Sequence, residues 1–245
     1  MSTSAKVTAR QRIENLLDDN SFVEIGAYVK ARNTDFNIQA KDTPSDGVIT
    51  GYGVINGGLV YVYSQDASVL GGSVGEMHAK KIASLYDMAM KTGSPVIGLI
   101  DSTGLRLQES VDGLNAFGQI YMKQSLASGV IPTVTAIFGN CGGGLSIVAG
   151  LSDFTFMEVE NAQLFVNSPN AITENRKEIC DNASAKFQSE EAGNVDFVGT
   201  EAEVIEGIRN LVSVLPSNNE DEASDLECYD DLNRAAEGIE NCGED

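Results

Sequence analysis

Two glycine-rich turns are the residues of this sequence best suited to chemistry. The first is Gly71-Gly72-Ser73, and the second is Gly142-Gly143-Gly144. Each precedes a predicted helix, whose first backbone N–H groups have no internal acceptor and point outward with the positive end of the helix dipole behind them. Without side chains in the way, such N–H groups can reach a ligand oxygen. Two of them aimed at one carbonyl form an oxyanion hole, which stabilises negative charge developing on that oxygen.

The two turns together offer enough donors for such a hole. We predict that the amides of Gly142, Gly143 and Gly144 bind an oxyanion, and that the turn Gly71-Gly72-Ser73 contacts the substrate and supplies a second donor. Losing one such donor typically costs about 2.7 to 4 kcal/mol of transition-state stabilisation. The same glycines would also let a helix pack closely on a sheet, and the sequence leaves that alternative open.

Side chains suited to acid–base chemistry are few. His78, the single histidine, falls early in a predicted helix, where the dipole disfavours its protonated form, so we interpret it as a packing or hydrogen-bonding residue. Ser146 lies in GLSIV rather than in a GxSxG elbow, which argues against a serine hydrolase. Asp101 and Glu109 could form a carboxylate pair, although an Asp at a strand end and a Glu early in a helix are more often caps.

Three basic residues flank the glycine turns. Lys80 and Lys81 follow the first turn, and Arg106 lies between the two turns. A phosphorylated substrate such as coenzyme A would require cations of this kind, so we predict that these three side chains bind the substrate. Ordinary solvated surface charge is the alternative that the sequence leaves open.

Strand and helix patterns place each turn between a strand and a helix. The runs VITGYGVI and LVYVYSQ flank Asn56-Gly57-Gly58 and predict a hairpin, which the first glycine turn and a helix as far as Gly93 follow. The apolar run PVIGLIDS predicts a strand covered on both faces, before a helix over about 111–127. IPTVTAIF, the second glycine turn and LSIVAGL repeat the order strand, turn, helix.

The remaining patterns complete an α/β domain with a largely parallel sheet. A short helix is predicted over 8–17, two short strands in FTFMEV and AQLFVN, and a closing helix over 204–214. The polar stretch 172–189 gives no clear signal. Ligands of open α/β sheets bind at the carboxyl ends of the strands, which is where both glycine turns fall.

Composition excludes several classes of protein. Hydrophobic residues make up 42% and charged residues 21% of the 245 residues, so wholesale disorder is excluded. The net charge of −20 would repel nucleic-acid phosphates and anionic lipid surfaces, so we expect no nucleic-acid partner. Neither GxGxxG nor GxxxxGK[ST] occurs, which leaves dinucleotide and P-loop nucleotide binding without a fingerprint.

Localisation and domain limits follow from the same counts. The amino terminus has no apolar run of the signal-peptide type and no stretch suits a membrane helix, so we expect a cytoplasmic protein without membrane insertion. The four cysteines have no CxxC spacing, so we expect neither zinc nor disulfides. Residues 216–245 contain eleven acidic residues and one basic residue. We therefore assign 1–215 to one domain and 216–245 to an acidic linker or partner-binding tail.

Several long stretches resemble a known family. ARQRIENLLDDNSFVEIG, DGVITGYGVINGGLVYVYSQDASVLGGSVGEMHAKKI, DSTGLRLQES and ASGVIPTVTAIFGNCGGGLSIVAGLSDF closely resemble the amino-terminal half of the carboxyltransferase (β) subunit of biotin-dependent acyl-CoA carboxylases and decarboxylases. The resemblance covers about residues 8–219. It implies an α/β, crotonase-like fold of repeated ββα units, which periodicity alone could not choose over other α/β folds.

The resemblance also implies roles for individual residues. The family's GxCxGG stretch supplies oxyanion-hole amides, and here it is Gly139, Cys141, Gly143 and Gly144, with Gly142 where many relatives carry alanine. Gly71-Gly72 looks like the other turn of a crotonase oxyanion hole. Arg106 lies in a DSxGxRxQE match, in which Thr103 and Leu105 stand where relatives often have glycine and alanine.

Family members usually continue into a second, similar half that completes the active site. This sequence stops after a stretch, Tyr229–Arg234, that resembles the link between the halves. We therefore expect a split carboxyltransferase whose second half is a separate polypeptide, with the acidic tail packing on it. The resemblance implies further partners: a biotin carboxyl carrier protein, an acyl-CoA substrate, and further copies of the chain in trimers or stacked trimers.

The function we predict is transfer of a carboxyl group between carboxybiotin and the α-carbon of an acyl-CoA. The resulting enolate oxygen needs fixed donors, which backbone amides provide. We expect no tightly bound cofactor, because biotin arrives on its carrier. Two alternatives stay open: a stand-alone enoyl-CoA hydratase or isomerase, for which Glu109 is the candidate carboxylate, and a non-catalytic CoA-binding subunit. The sequence fixes neither the acyl group nor the direction of the reaction.

Overall fold

The computed structural model describes residues 7–33, 43–168, 181–222, 229–231, 233–235 and 238. Within them, one mixed sheet of eight strands carries six α-helices. The strands are β1 (Val23–Ile25), β2 (Val48–Ile55), β3 (Gly58–Gln65), β4 (Val96–Ser102), β5 (Thr133–Gly142), β6 (Phe154–Glu158), β7 (Gln163–Phe165) and β8 (Phe197–Gly199). The helices are α1 (Ala9–Leu16), α2 (Glu76–Thr92), α3 (Ser110–Ala127), α4 (Leu145–Gly150), α5 (Ala185–Glu190) and α6 (Glu201–Val214).

The predicted hairpin is confirmed as β2 and β3. The two strands are antiparallel, with Ile55 paired to Gly58 across a two-residue turn. Asn56 and Gly57 have φ angles of 49° and 86°, the left-handed pair that a type I′ turn requires and that asparagine and glycine tolerate best. β1 adds to the free side of β2, also antiparallel. Three residues are too few for an alternating pattern, so the sequence did not predict β1.

The rest of the sheet is parallel, as predicted. Its order runs β3, β4, β5, β6, β8, and every residue of β4 is buried. β5 divides its pairing: residues 134–137 pair with β6, whereas residues 140–142 pair with β7. The strand therefore runs four residues beyond the predicted IPTVTAIF and takes the start of the second glycine turn into the sheet.

Helices cover both faces of the sheet. On one face, Ile82 of α2 and Ile120 of α3 belong to the larger hydrophobic core, and on the other Leu16 of α1 and Ile208 of α6 belong to the second core. α1 begins with a capping box between Thr8 and Gln11, close to its predicted start. Thr200 and Glu203 form the same box at α6, which therefore begins three residues earlier than predicted.

The predicted boundary at residue 215 stays a prediction. The first residues after it lie against the domain: Asn218 Nδ2 donates to Gly93 O at 3.0 Å, and Asn219 N donates to Val130 O at 2.9 Å. Cys180, Cys228 and Cys242 lie outside the described residues. None of the helices in the described part of the chain is long and apolar enough to cross a membrane.

Candidate active site

The two glycine turns lie at the carboxyl ends of β3 and β5, on either side of β4 in the sheet. The first follows β3 and the second follows β5, while the loop 103–106 follows β4 between them. Gly104 in that loop contacts both turns. Its oxygen accepts from Val74 N at 2.8 Å, and the position of a Cβ on Gly104 would lie 3.1 Å from Gly142 O. The three loops therefore form one continuous edge, as the sheet topology predicts.

The second turn offers fewer free amides than its sequence suggests. Gly142 is the last residue of β5, in register with Phe165 of β7, and Gly143 N donates to Phe165 O at 3.0 Å. The prediction that the Gly143 amide binds an oxyanion is therefore wrong, because β7 already occupies it. Gly144 N has no acceptor among the described residues, and Gly144 is half-buried rather than buried. Gly144 is the donor that this turn leaves for a ligand.

The first turn is built in the same way. Gly72 N and Ser73 N donate within the turn, to Val69 O at 2.9 Å and Leu70 O at 3.2 Å, so neither is the second donor predicted for this turn. Gly71 N has no acceptor in the described ranges, and Gly71 is half-buried. Gly72 has the packing role that the sequence left open: its φ is 63°, and a Cβ there would collide with Asp101 O.

A serine fixes the direction of each free N–H group. In the first turn, Leu70 O accepts from Ser73 Oγ at 2.7 Å and from Ser73 N. In the second, Gly143 O accepts from Ser146 Oγ at 2.7 Å and from Ser146 N at 3.1 Å. The C=O and N–H of a trans peptide point in opposite directions. Since each serine holds the carbonyl, the N–H of the same peptide, on Gly71 or Gly144, points away from the serine.

Open space lies beside the second turn. No atom would come within 4 Å of a Cβ on Gly143, whose φ is 62°. Gly144 follows with φ −57°, and left-handed then right-handed residues form a backbone nest that suits an anion. A cavity of about 380 Å³ adjoins the turn and is lined by Ser146, Phe165 and Val166 among others. The hydroxyl of Tyr121 on α3 donates to Gly144 O and so holds the next peptide, between Gly144 and Leu145, in place.

Arg106 is buried and supports the first turn instead of binding a substrate. Its side chain is 2% exposed, and Nη2 donates to Ser73 O at 2.6 Å while Nε donates to Ser73 Oγ at 3.2 Å. Nη1 forms ion pairs with Asp46 Oδ1 at 2.6 Å and Glu109 Oε1 at 2.9 Å. With every arm of the guanidinium occupied inside the protein, the predicted contact with substrate is wrong for this residue.

The two carboxylates beside Arg106 also hold the amino end of α2. Glu109 Oε2 accepts from Glu76 N at 2.6 Å, and Asp46 Oδ2 accepts from His78 N at 2.8 Å. Gly75, the N-cap of α2, has no side chain to cap with, and a Cβ there would collide with Glu109 and Arg106. Burial raises the pKa of Asp46, and the neighbouring guanidinium opposes that rise. Of the two interpretations that the sequence offered for Glu109, a catalytic carboxylate or a helix cap, the structure fits the cap, because Glu109 accepts from the first N–H of α2.

The two predicted lysines are not free cations either. Lys81 is 7% exposed and its Nζ donates to Ser45 O at 3.0 Å and to Val48 O. Burial lowers its pKa to about 8, with Glu24 and Asp46 opposing. The predicted contact between Lys81 and a substrate is therefore wrong. Lys80 is on the surface but pairs with Glu76 at 2.6 Å, one helical turn away.

His78 is the packing residue that its position predicted. It is fully buried, with Nδ1 3.0 Å from Asp46 O and Nε2 3.1 Å from Gln65 Nε2. An Nδ1–H tautomer donates to the carbonyl and accepts from the amide. Burial first, and the charge of Arg106 second, lower its pKa to about 3. Asp101 is also buried, 3.3 Å from Arg12 Nη1.

Three contributors to the site escaped the sequence patterns. Asp46, sixty residues earlier in the sequence, accepts a hydrogen bond from Arg106. Phe165, in the three-residue strand β7, accepts from Gly143 N through its backbone oxygen. The third is Leu145 N, which has no acceptor within the described part of the chain and follows Gly144 directly. The prediction from sequence relied on glycines, because they lack a side chain that would block the backbone. Any residue except proline has a backbone N–H, so Leu145 can be a donor as well. What the site offers is therefore a set of fixed backbone donors.

Comparison with known proteins places this edge in a family of carboxyl-transferring enzymes. The model of the carboxyl transferase domain matches residues 2–244, so the chain belongs to that family. It is 44% identical over 234 residues to the methylmalonyl-CoA decarboxylase subunit alpha of Propionigenium modestum, a match covering 94% of this chain and 45% of the relative. The chain spans about half the length of the curated relatives it matches.

Two solved structures have the same fold. The 12S transcarboxylase hexamer, with methylmalonyl-coenzyme A bound, superposes with a TM-score of 0.83 at 38% identity, covering 89% of this chain and 43% of its own. The MdcD–MdcE hetero-dimer of Pseudomonas malonate decarboxylase gives a TM-score of 0.69 at 26% identity, over 84% of this chain and 86% of its own. The fold is crotonase-like, which confirms the expectation from the sequence.

Proposed function

We propose that this chain is the acyl-CoA-binding half of a carboxyltransferase, which moves a carboxyl group between carboxybiotin and the α-carbon of an acyl-CoA. Membership of the carboxyl transferase family supports the reaction class. The observation that carries the proposal is the matched pair of unbonded amides, Gly71 N and Gly144 N, on two turns at one sheet edge. Each points away from the serine that holds the carbonyl of its own peptide.

The pair suits the enolate that forms at the thioester. Removing the α-proton, or losing CO₂ in the other direction, places negative charge on the thioester oxygen. Gly71 N and Gly144 N would donate to that oxygen, and each such donor is worth about 2.7 to 4 kcal/mol in the transition state. Backbone amides need no particular protonation state and keep their direction throughout. Arg106, through Ser73, keeps the first turn in place without touching the substrate.

The proposal extends to partners. A second, similar half on another polypeptide would complete the site, a biotin carboxyl carrier protein would deliver the carboxyl group, and copies of the chain would assemble as trimers or stacked trimers. Two structural relatives support such an assembly, since one was solved as a hexamer and the other as a hetero-dimer. The hydratase alternative loses its candidate carboxylate, because Glu109 is buried and bonded to Arg106 and Glu76.

Replacing Gly144 tests the proposal. Its φ of −57° suits proline, so Gly144→Pro deletes the N–H while keeping the backbone path. Gly144→Ala is the matched control, because it retains the N–H and places the same Cβ against Tyr121. The assay is carboxyl transfer from methylmalonyl-CoA or malonyl-CoA to free biotin by the tagged complex purified from its source.

We expect Gly144→Pro to lower kcat by roughly 10² to 10³ relative to Gly144→Ala, the loss typical of one oxyanion donor. Circular dichroism and the yield of assembled complex establish that both variants fold. Equal kcat values for the two variants would rule out the Gly144 amide as a donor. A wild-type complex without biotin-dependent transfer from any acyl-CoA would overturn the proposed function itself.

A further inference from the structure

Three consecutive residues before β2 have a left-handed backbone, and we call them the left-handed segment. They are Ser45, Asp46 and Gly47, with φ angles of 53°, 50° and 71°. Glycine adopts this conformation freely, whereas serine and aspartate adopt it at a cost and keep it only where surrounding contacts hold them. All three residues are buried, so the contacts that hold the segment come from the protein rather than from solvent.

Lys81 of α2 supplies such contacts at both ends of the segment. Its Nζ donates to Ser45 O at 3.0 Å and to Val48 O, the carbonyl that follows the segment. The side chain packs closely on the loop after β1, where a Cβ on Gly26 would lie 3.1 Å from Lys81 Cε. A lysine amine has three N–H groups when charged and two when neutral. It can therefore bond both carbonyls on either side of its pKa of about 8.

The left-handed segment lies directly against the first glycine turn. Gly47 O accepts from Asp66 N at 2.9 Å, and a Cβ on Gly47 would lie only 2.9 Å from Val69 O. A residue with a side chain would push these two backbones apart. Val69 O in turn accepts from Gly72 N at 2.9 Å. The position of the segment therefore affects the residues that begin the turn.

A second connection runs from the segment through Arg106. Asp46 Oδ1 accepts from Arg106 Nη1 at 2.6 Å, and the same guanidinium donates to Ser73 O and Ser73 Oγ. Ser73 Oγ holds Leu70 O, the carbonyl of the peptide that carries the Gly71 N–H. A shift of Asp46 would therefore displace Arg106 and Ser73, and with them the unbonded amide.

We infer that Lys81 is a positioning residue for carboxyl transfer: by holding the left-handed segment, it keeps the first glycine turn and the Gly71 amide in place. The inference rests on the function proposed above. Lys81 is buried and bonded within the chain, so it acts through Asp46 and Gly47 rather than on the reacting atoms. Because the lysine opposes backbone strain, a glycine in place of Ser45 should make it largely dispensable.

Lys81→Met tests the inference, because methionine fills the space but donates to neither carbonyl. Lys91→Met, the same change on the exposed last turn of α2, is the matched control. The assay is carboxyl transfer from methylmalonyl-CoA or malonyl-CoA to free biotin by the complex. We expect Lys81→Met to lower kcat about five- to twentyfold with KM within about twofold, less than the loss of a whole oxyanion donor. Equal kcat values in the two variants, or a change confined to KM, would overturn the inference.

A second substitution separates positioning from a general effect of losing the lysine. Ser45→Gly in the Lys81→Met protein permits the left-handed backbone without strain, so we expect kcat to return to within about threefold of wild type. Ser128→Gly, at an exposed serine with a φ of −57°, should restore nothing in the same background. If Lys81→Met alone does not assemble, the double variant with Ser45→Gly should assemble and turn over. A double variant that is no better than Lys81→Met would overturn the inference.

Hydrogen exchange measures the hold on the turn without using activity. Gly72 N and Ser73 N are hydrogen-bonded within the first turn, so their exchange reports its opening. By mass spectrometry at pH 7, we expect peptides containing these amides to exchange at least about fivefold faster in the Lys81→Met complex than in the Lys91→Met complex. Unchanged protection in Lys81→Met would overturn the inference.

The inference and the proposed function can fail separately. If the turn exchanges faster in Lys81→Met but the wild-type complex transfers no carboxyl group from any acyl-CoA to biotin, the hold of Lys81 on the turn stands and the function is wrong. If the wild-type complex carries out that transfer and Lys81→Met keeps both its kcat and its protection, the function stands and Lys81 does not position the turn.

Discussion

Ser73 and Ser146 have the same task in two turns that are unrelated in sequence. Each hydroxyl donates at 2.7 Å to a carbonyl three residues earlier, and the adjoining N–H of Gly71 or Gly144 is left unbonded. Leu70, whose oxygen Ser73 holds, has a φ of 49°, a costly conformation for a residue with a branched side chain. The direction of these amides is thus maintained by the two serine hydroxyls.

Removing either hydroxyl should loosen the amide rather than remove it. We expect Ser73→Ala and Ser146→Ala each to lower kcat of the complex about three- to tenfold, the worth of roughly 1 kcal/mol, with KM little changed. Ser213→Ala is the control, because Ser213 Oγ donates at the same 2.7 Å to Asn210 O, three residues earlier, on α6. A change confined to stability, equal in all three variants, would contradict the positioning role.

His78 makes folding sensitive to acid. Its pKa is about 3 in the folded protein against 6.5 in an unfolded chain, chiefly because of burial. Below pH 6.5 the unfolded chain binds a proton that the folded protein does not, so the free energy of unfolding falls as the pH drops towards 3. By pH 4 the loss from this residue should be roughly 3 kcal/mol.

Urea unfolding of wild-type protein and His78→Asn across pH 7 to 4 checks this expectation. Asparagine keeps a donor for Asp46 O but binds no proton, so its free energy of unfolding should fall less steeply over the interval. Carboxylates that titrate in the same range contribute equally to both proteins. Parallel curves for the two would mean that His78 does not titrate as its burial implies.

Sequence patterns identified the glycines of the site but not which amide each would leave free. Whether Gly143 N is bonded depends on β7, a three-residue strand that arrives twenty residues later, and no local signal encodes that pairing. Arg106 was misassigned for a similar reason, since basic residues are usually exposed and its partner Asp46 is sixty residues away. Residue type predicts the chemistry that is possible, whereas long-range contacts decide which atoms remain available.

At the scale of elements, one buried cluster joins three loops. Arg106, Asp46 and Glu109 connect the loop before β2, the first glycine turn and the start of α3, and their side chains are at most 2% exposed. The arrangement has one guanidinium for two carboxylates. Removing it would leave two uncompensated buried charges at the amino end of α2.

We expect Arg106→Met to lower the free energy of unfolding by about 3 to 5 kcal/mol, as loss of one partner from a buried ion pair typically does. Arg32→Met provides the control. Arg32 also pairs with two carboxylates, Asp112 and Glu76, but its side chain is 43% exposed, so its loss should lower the free energy of unfolding far less than the loss of Arg106. Urea titration of both variants measures the difference, and similar losses would show that the cluster is no stronger than a surface pair.

Long elements were predictable and short ones only in part: AQLFVN predicted the three-residue strand β7, whereas β1, β8 and α5 were not predicted. The hairpin, α2, β4 and α3 have enough residues for their apolar periodicity to stand out, and all four occur close to their predicted limits. β1 and β8 have three residues each, and α5 lies in the polar stretch that gave no signal. These short elements depend on the neighbours that they pair with, which local sequence does not describe.

At the scale of the whole molecule, charge works against the proposed substrate. The chain carries a net charge of −20, and the three basic residues that flank the glycine turns in sequence are engaged: Lys81 and Arg106 are buried, and Lys80 pairs with Glu76. Coenzyme A is itself an anion. Its approach therefore meets a repulsive field that dissolved salt screens.

We expect the affinity of the complex for methylmalonyl-CoA to rise by roughly two- to tenfold when NaCl increases from 20 to 200 mM, because screening weakens this repulsion. Methylmalonyl-pantetheine, which lacks the phosphorylated nucleotide, should respond much less. Isothermal titration calorimetry with both esters provides the comparison. Tighter binding of the CoA ester at low salt would instead reveal a cationic surface, contributed by a partner or by residues outside the described part.

The buried cluster of Arg106, Asp46 and Glu109 affects local opening of the structure at the amino end of α2. The first turn of a helix normally frays first, since its N–H groups have only water to bond with. In α2 those of Glu76 and His78 are bonded to buried carboxylates, which Arg106 in turn holds. Local opening at this end of α2 must therefore expose two charges and dismantle three loops together. The edge that carries the Gly71 amide therefore loosens only when a large part of the domain does, so the direction of that N–H group stays fixed while the domain is folded.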